Sequence, residues 1–85
     1  MTLDDKLKMI KSANLMISDD YKDRLKAEYM QIDLRTEELR KTISHRRRSL
    51  TPLELDIIQE QLIGMVKYRN SLEMRLAMLN IDISY

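Results

Sequence analysis

The sequence predicts an all-α protein: a short N-terminal helix followed by a long antiparallel helical hairpin, assembling as a homo-oligomeric helix bundle with coiled-coil-like seams. Three observations carry that prediction. One Gly and one Pro in 85 residues leave almost nothing to break a helix. Charged residues make up 34% of the chain, and the apolar residues between them recur at steps of three and four, the period of one helix face. The sharpest local signal, "TPLE" at 51–54, falls between two such periodic stretches of nearly equal length.

A single domain over residues 1–85 is expected, with helices over 2–14, 18–48 and 52–80. The first opens with "TLDD", where Thr2 caps and Asp5 can return the bond three residues on. Leu3, Leu7 and Ile10 follow at steps of four and three, while Asp4 and Lys8 pair on the outer face. At this length a helix is marginal alone, so it must dock on the rest of the chain or fray.

In the second helix Ser18 is the expected N-cap, with Asp19 and Asp20 in the first turn, where the helix dipole favours anions. Leu25, Tyr29, Ile32, Thr36, Leu39 and Ile43 lie on one heptad-like seam. Pairs at i,i+4 are expected around it: Asp20/Arg24, Arg24/Glu28 and Glu37/Lys41. The third helix starts with Thr51 as cap, Pro52 at the first helical position and Glu54 closing a capping box. Its seam runs Leu55, Ile58, Leu62, Met65, Arg69, Leu72, Leu76 and Leu79. Only Ser49, Leu50 and Thr51 separate the two long helices, each about 40 Å. A connection that short makes them antiparallel neighbours.

Composition excludes several function classes. With no cysteine there is no disulfide and no thiolate metal site, and one histidine rules against a multi-His centre. No metal or cofactor is expected. Fifteen Lys+Arg against fourteen Asp+Glu leave +1, which is not the balance of a general polyanion binder. The chain has no Gly-rich phosphate loop, no Ser/His/Asp or Cys/His set and no Glu-x-x-His pair, so a non-enzyme is expected. No run of eighteen apolar residues spans a membrane, and the N-terminus lacks a signal-peptide core. The expected location is the cytoplasm.

The third helix is apolar around more of its circumference than one neighbour covers. Beside its seam, Ile63, Val66, Met74, Ala77, Met78 and Ile81 line a second face; helix two has a smaller second stripe of Ala27, Met30 and Leu34. Helix one can cover part of helix three's second face, and the remainder is expected to be a subunit interface. Burying a large aliphatic side chain contributes roughly 1.5–3 kcal/mol. Half a dozen left wet would forfeit about 9–18 kcal/mol, as much as the whole stability of a small domain. A two-fold dimer with a four-helix core is the simplest arrangement.

Candidate binding residues fall in two places. In "SHRRRSLTPLE" the run Arg46, Arg47, Arg48 ends helix two, where cations complement the dipole. It reads first as a solvated helix end and second as a grip on an anion or acidic partner. Arg69 interrupts the seam of helix three opposite Tyr29 and Ile32 and needs an acidic partner, with Glu28, Asp33 and Glu73 in reach. In a functional reading Arg69, Tyr29 and Tyr68 line a pocket for an anionic or aromatic ligand; packing is the plainer account of both tyrosines. Gly64, mid-helix, costs about 1 kcal/mol against Ala and is expected where a neighbouring helix or ligand comes close.

"DDYKDRLKAEYMQIDLRTEELRK" and "LTPLELDIIQEQLIGMVKYRNSLEMRLAMLNI" together resemble a family of very short helical-hairpin phage proteins named after a crAssphage reading frame. One helix of that family reads Tyr-x-x-Arg-Leu-x-x-Glu-Tyr, matched by Tyr21, Arg24, Leu25, Glu28 and Tyr29. Its second is matched by Leu62, Met65, Tyr68, Leu72, Arg75 and Leu76, with Gln61 near the family's glutamine. The resemblance covers residues 19–81 and leaves the first eighteen outside. It implies a phage-encoded hairpin, acting in the host cytoplasm. Small helical phage proteins often bind host machinery, and some form oligomers that sequester nucleotide immune signals. Guanidinium groups bind phosphate and aromatic rings stack on bases, which suits such a role. The expectation is therefore a non-enzymatic, homo-oligomeric counter-defence factor. It would sequester a small nucleotide-type immune signal or block a host defence protein. The alternative is a structural or assembly adaptor acting by self-association through helix three. Nucleic-acid binding ranks below both, given the balanced charge.

Overall fold

Caps and spacing translate directly into helices. The computed structural model describes residues 1–84. Among them it forms α1 (Leu3–Met16), α2 (Tyr21–Arg46), a 3-10 turn (Arg47–Ser49) and α3 (Pro52–Met78), with no strand. At the start of α1, Asp5 N–H donates to Thr2 Oγ1 at 3.1 Å and Thr2 N–H donates to Asp5 Oδ2 at 3.2 Å, the full capping box. At α3, Glu54 N–H donates to Thr51 Oγ1 at 3.1 Å, with Pro52 opening the helix. The entry to α2 differs from expectation. Asp20, not Ser18, is the cap, taking Lys22 N–H at 2.9 Å. Ser18 accepts Asp20 N–H at 3.1 Å and donates to Asp23 at 2.8 Å, so its hydroxyl shapes the turn before the helix.

The exit of α3 is a Schellman turn. Asn80 adopts φ 55°, Ile81 N–H donates to Leu76 O at 3.0 Å and Asn80 N–H donates to Ala77 O at 3.1 Å. That turn folds the tail back, so Ile81 and Ile83 pack on a core of Leu25, Tyr29, Leu72 and Leu76. Ile81, expected on a subunit interface, is half-buried and packs against its own chain's core.

Short connections make α2 the antiparallel neighbour of both other helices, and α1 and α3 each pack on it. The second face of α3, which the sequence allowed α1 to cover in part, is not where α1 docks. α1 covers the smaller stripe of α2, where Ala27, Met30 and Leu34 are buried. It does so with its polar side: Ser12 is fully buried, its hydroxyl donating to Met9 O at 2.7 Å, while Leu3, Leu7 and Ile10 are exposed.

The result is longer and flatter than a compact globule, 43 × 27 × 18 Å, with a radius of gyration of 14.6 Å against about 12 Å for a compact chain of this length. The predicted α2–α3 seam is real but only half closed. Leu25, Tyr29, Leu72 and Leu76 are buried; toward the tip, Leu39, Ile43, Ile58, Leu62 and Met65 are only half-buried. On the second face of α3, Ile63, Met74, Ala77 and Met78 are exposed and Val66 is half-buried. A Cβ added at Gly64 would meet no atom within 4 Å, so the close neighbour expected there is not supplied by this chain. Of the expected surface pairs, Asp4–Lys8 forms at 3.2 Å. Arg24 donates to Ser18 O at 2.7 Å rather than to Asp20 or Glu28, and Glu37 engages Arg40 and Arg69 rather than Lys41.

Candidate functional site

Helical steps of three and four put Arg69 on the α2-facing side of α3, where its aliphatic stem is covered and its charge must be met. Nη1 lies 3.4 Å from Asp33 Oδ1 and 3.4 Å from Glu37 Oε1, and the side chain is only 18% exposed. Asp33 was among the expected partners; Glu37 was not. A guanidinium held between two carboxylates of the neighbouring helix is committed to the fold. Tyr29 lies in the core beside this group. Burial pushes its phenol above the ordinary value, the Asp33 and Glu73 carboxylates add to the rise, and Arg69 opposes it. Tyr68, one residue before Arg69 and so about 100° round the helix, is exposed. The expected trio therefore divides: Tyr29 and Arg69 are neighbours inside, and Tyr68 stands outside.

Arg46, Arg47 and Arg48 are exposed at the hairpin tip and make no side-chain hydrogen bond or ion pair among the described residues. They sit roughly 25 Å along α3 from Arg69, so the two sets of candidates form no common site.

Two grooves between α2 and α3 were not anticipated. The larger, about 500 Å³, lies in the half-closed part of the seam. Ile32, Leu39 and Met65 supply its apolar wall, and Arg35, Glu38, Thr42 and Gln61 its polar one. Glu38 is occupied by the Met1 ammonium at 3.4 Å and Lys41 at 3.9 Å, and Thr42 donates to Glu38 O at 3.0 Å. The open charge of this groove is thus Arg35. The smaller groove, about 200 Å³, lies at the other end of the hairpin and is lined by Tyr21, Arg75, Met78 and Leu79. Gln61 and Arg75, one in each groove, share a face of α3 with Gly64 and Tyr68 by helical spacing. Both grooves therefore open along one side of the hairpin.

Neither Arg35 nor Arg75 takes part in an ion pair or side-chain hydrogen bond among the described residues. Arg75 is legible in retrospect: no acidic residue lies three or four positions from it in either direction, so no helix-surface pair can engage it. A free guanidinium beside an aromatic ring and a thioether can meet a phosphate and a planar ring together. No cluster of His, Cys, Asp or Glu able to hold a metal occurs among the described residues, and no helix among them is long and apolar enough to cross a membrane.

The profile of the Sequestin family matches residues 19–78, from the turn before α2 to the last residue of α3. The chain belongs to the Sequestin family. No curated protein and no solved structure matches it. The Sequestin span falls on the stretch that carries the phage-protein resemblance, and it contains the whole hairpin while leaving α1 outside. Within that hairpin the motif residues separate by role. Leu25, Tyr29, Leu72 and Leu76 are core, whereas Tyr21 and Arg75 are exposed and line a groove.

Proposed function

We propose that this Sequestin chain is a non-enzymatic binding protein that holds a small anionic, nucleotide-type ligand out of solution and serves a phage as a counter-defence factor in the host cytoplasm. The observation that carries the reading is a pair of guanidinium groups, Arg35 and Arg75, that have no ion pair among the described residues and lie in grooves on one side of the hairpin. Tyr21 and Tyr68 stand on that same side as stacking surfaces for a base. The family's name points to sequestration, and each groove offers a guanidinium group able to bind an anion. Homo-oligomerisation through the exposed Ile63, Met74, Ala77 and Met78 of α3, with the half-buried Val66 between them, would bury that apolar stripe and wall the shallow grooves with a second copy.

Calorimetric titration with cyclic nucleotides and ADP-ribose derivatives tests it. Saturable binding is expected, weakened about 10- to 100-fold by Arg75→Ala or Arg35→Ala, the loss of one charge-assisted contact. Uniformly flat traces would remove the sequestration reading, and capture from host lysate would then test the blocking of a host protein. The exposed α3 stripe favours a second reading, a structural adaptor acting by self-association. Under it, Arg35→Glu, Arg75→Glu and the tip change Arg46/Arg47/Arg48→Glu leave phage activity intact, while Met74→Glu abolishes it.

A further inference from the structure

α1 has two faces, and the fold uses the polar one. Asp5, Lys8, Met9, Ser12 and Leu15 are buried or half-buried on the side that meets α2. On the opposite side Leu3, Leu7 and Ile10 are 73%, 56% and 59% exposed, and Ile17 at the C-cap is 84% exposed. With Asn14 between them, these residues step by four, three, four and three: the d-a-d-a-d spacing of a coiled-coil seam, carrying its polar residue at an a position. The flanking positions are charged. Asp4 and Lys11 lie along one edge of the stripe, Lys6 and Ala13 along the other. Asp4 keeps an exposed carboxylate despite its 3.2 Å pair with Lys8, and Lys11 has no ion pair among the described residues.

We propose that α1 docks on α1 of a second copy of this chain, antiparallel about a two-fold axis. The charges choose both the partner and the direction. In the antiparallel register Leu7 meets Ile10 of the second copy and Leu3 meets Asn14. Asp4 then faces Lys11, and by symmetry the complementary pair forms twice. A slip of one heptad toward the C-terminal end sets Lys11 against Lys11. A parallel pair sets Lys6 against Lys11. Only the antiparallel register buries the stripe without opposing like charges. The contact uses a helix outside the Sequestin span and leaves both grooves and the α3 stripe free, so it stands independently of the ligand reading.

Sedimentation equilibrium of the full chain tests it, with circular dichroism confirming the fold of each variant. The wild type is expected to dimerise. Lys11→Glu is expected to weaken the dimer about tenfold by turning two ion pairs into two repulsions, and adding Asp4→Lys restores it. Leu7→Glu, on an exposed position, abolishes it without loss of helix. Three results overturn the proposal: a monomer at all concentrations; tighter association with Lys11→Glu, the signature of a parallel pair; or an assembly indifferent to Leu7→Glu and dissolved by Ile63→Glu. The last would leave the α3 contact of the functional reading standing and remove this one alone. Failure of nucleotide binding, read by calorimetry, leaves the α1 contact untouched.

Discussion

The two ends of the α2–α3 hairpin carry the same kind of apolar seam and close it differently. At the open end Leu25, Tyr29, Leu72 and Leu76 are buried beneath a third layer, the returning tail with Ile81 and Ile83. Toward the tip, Leu39 and Met65 stay half-buried and line a groove; Ile32 marks the border, touching the core and the groove alike. The apolar content of the facing helices does not separate the two halves. Two packed helices shield only the strip between them, and a third element must cover the flanks. The larger groove lies where the covering chain runs out.

The largest effect expected from probing this contrast is a core truncation. Leu76→Ala should cost about 2–5 kcal/mol, whereas Leu39→Ala, at a half-wet position, should cost about 1 kcal/mol or less. Urea denaturation of the two variants measures both, and equal losses would erase the distinction between the halves. The third layer itself hangs on Asn80. Asn80→Ala removes the short polar side chain whose local hydrogen bonding makes the left-handed region accessible to Asn and should cost about 1 kcal/mol, with faster hydrogen exchange at the Ile81 N–H. Asn80→Gly should keep the turn.

Gly64 sharpens the comparison from outside. Because a Cβ there meets nothing, Gly64→Ala should stabilise the isolated chain by about 1 kcal/mol through helix propensity. A fall in ligand affinity or in assembly alongside that gain would locate the close neighbour in another molecule. The smallest effect is on pH. Burial raises the Tyr29 phenol above its ordinary value near 10. It therefore stays neutral in the fold where the unfolded chain already ionises. Its contribution is whole below pH ~10 and is lost as pH rises from there through the folded value. Tyr29→Phe should flatten that alkaline decline relative to wild type, read from denaturation at pH 9 and pH 11.

Much of this was legible in the residues. Thr2 and Thr51 announced their helices because a cap is a contact three residues long, and the Arg69–Asp33 pair was legible because a seam arginine must find a nearby acid. The Ser18 cap was misplaced: three consecutive polar residues, Ser18, Asp19 and Asp20, offer the same chemistry, and only the path of the chain selects Asp20. Arg35 passed unnoticed and Arg75 was visible only as a motif residue, because a groove is a property of the space between helices, which the spacing along one helix does not report. Tyr21 was visible as a motif residue but not as a groove wall, since its neighbour Arg75 lies more than fifty positions away.

Sequence by itself determined the elements and their direction: where α1 and α3 begin, and that connections of a few residues return the chain antiparallel. Those are local matters, settled by hydrogen bonds and sterics over three or four residues. Tertiary structure alone decided which face of α1 docks and which half of the hairpin closes. α1 could turn either side to α2, and only contacts summed over the whole interface decide that Ser12 goes inside while Leu3, Leu7 and Ile10 face outward.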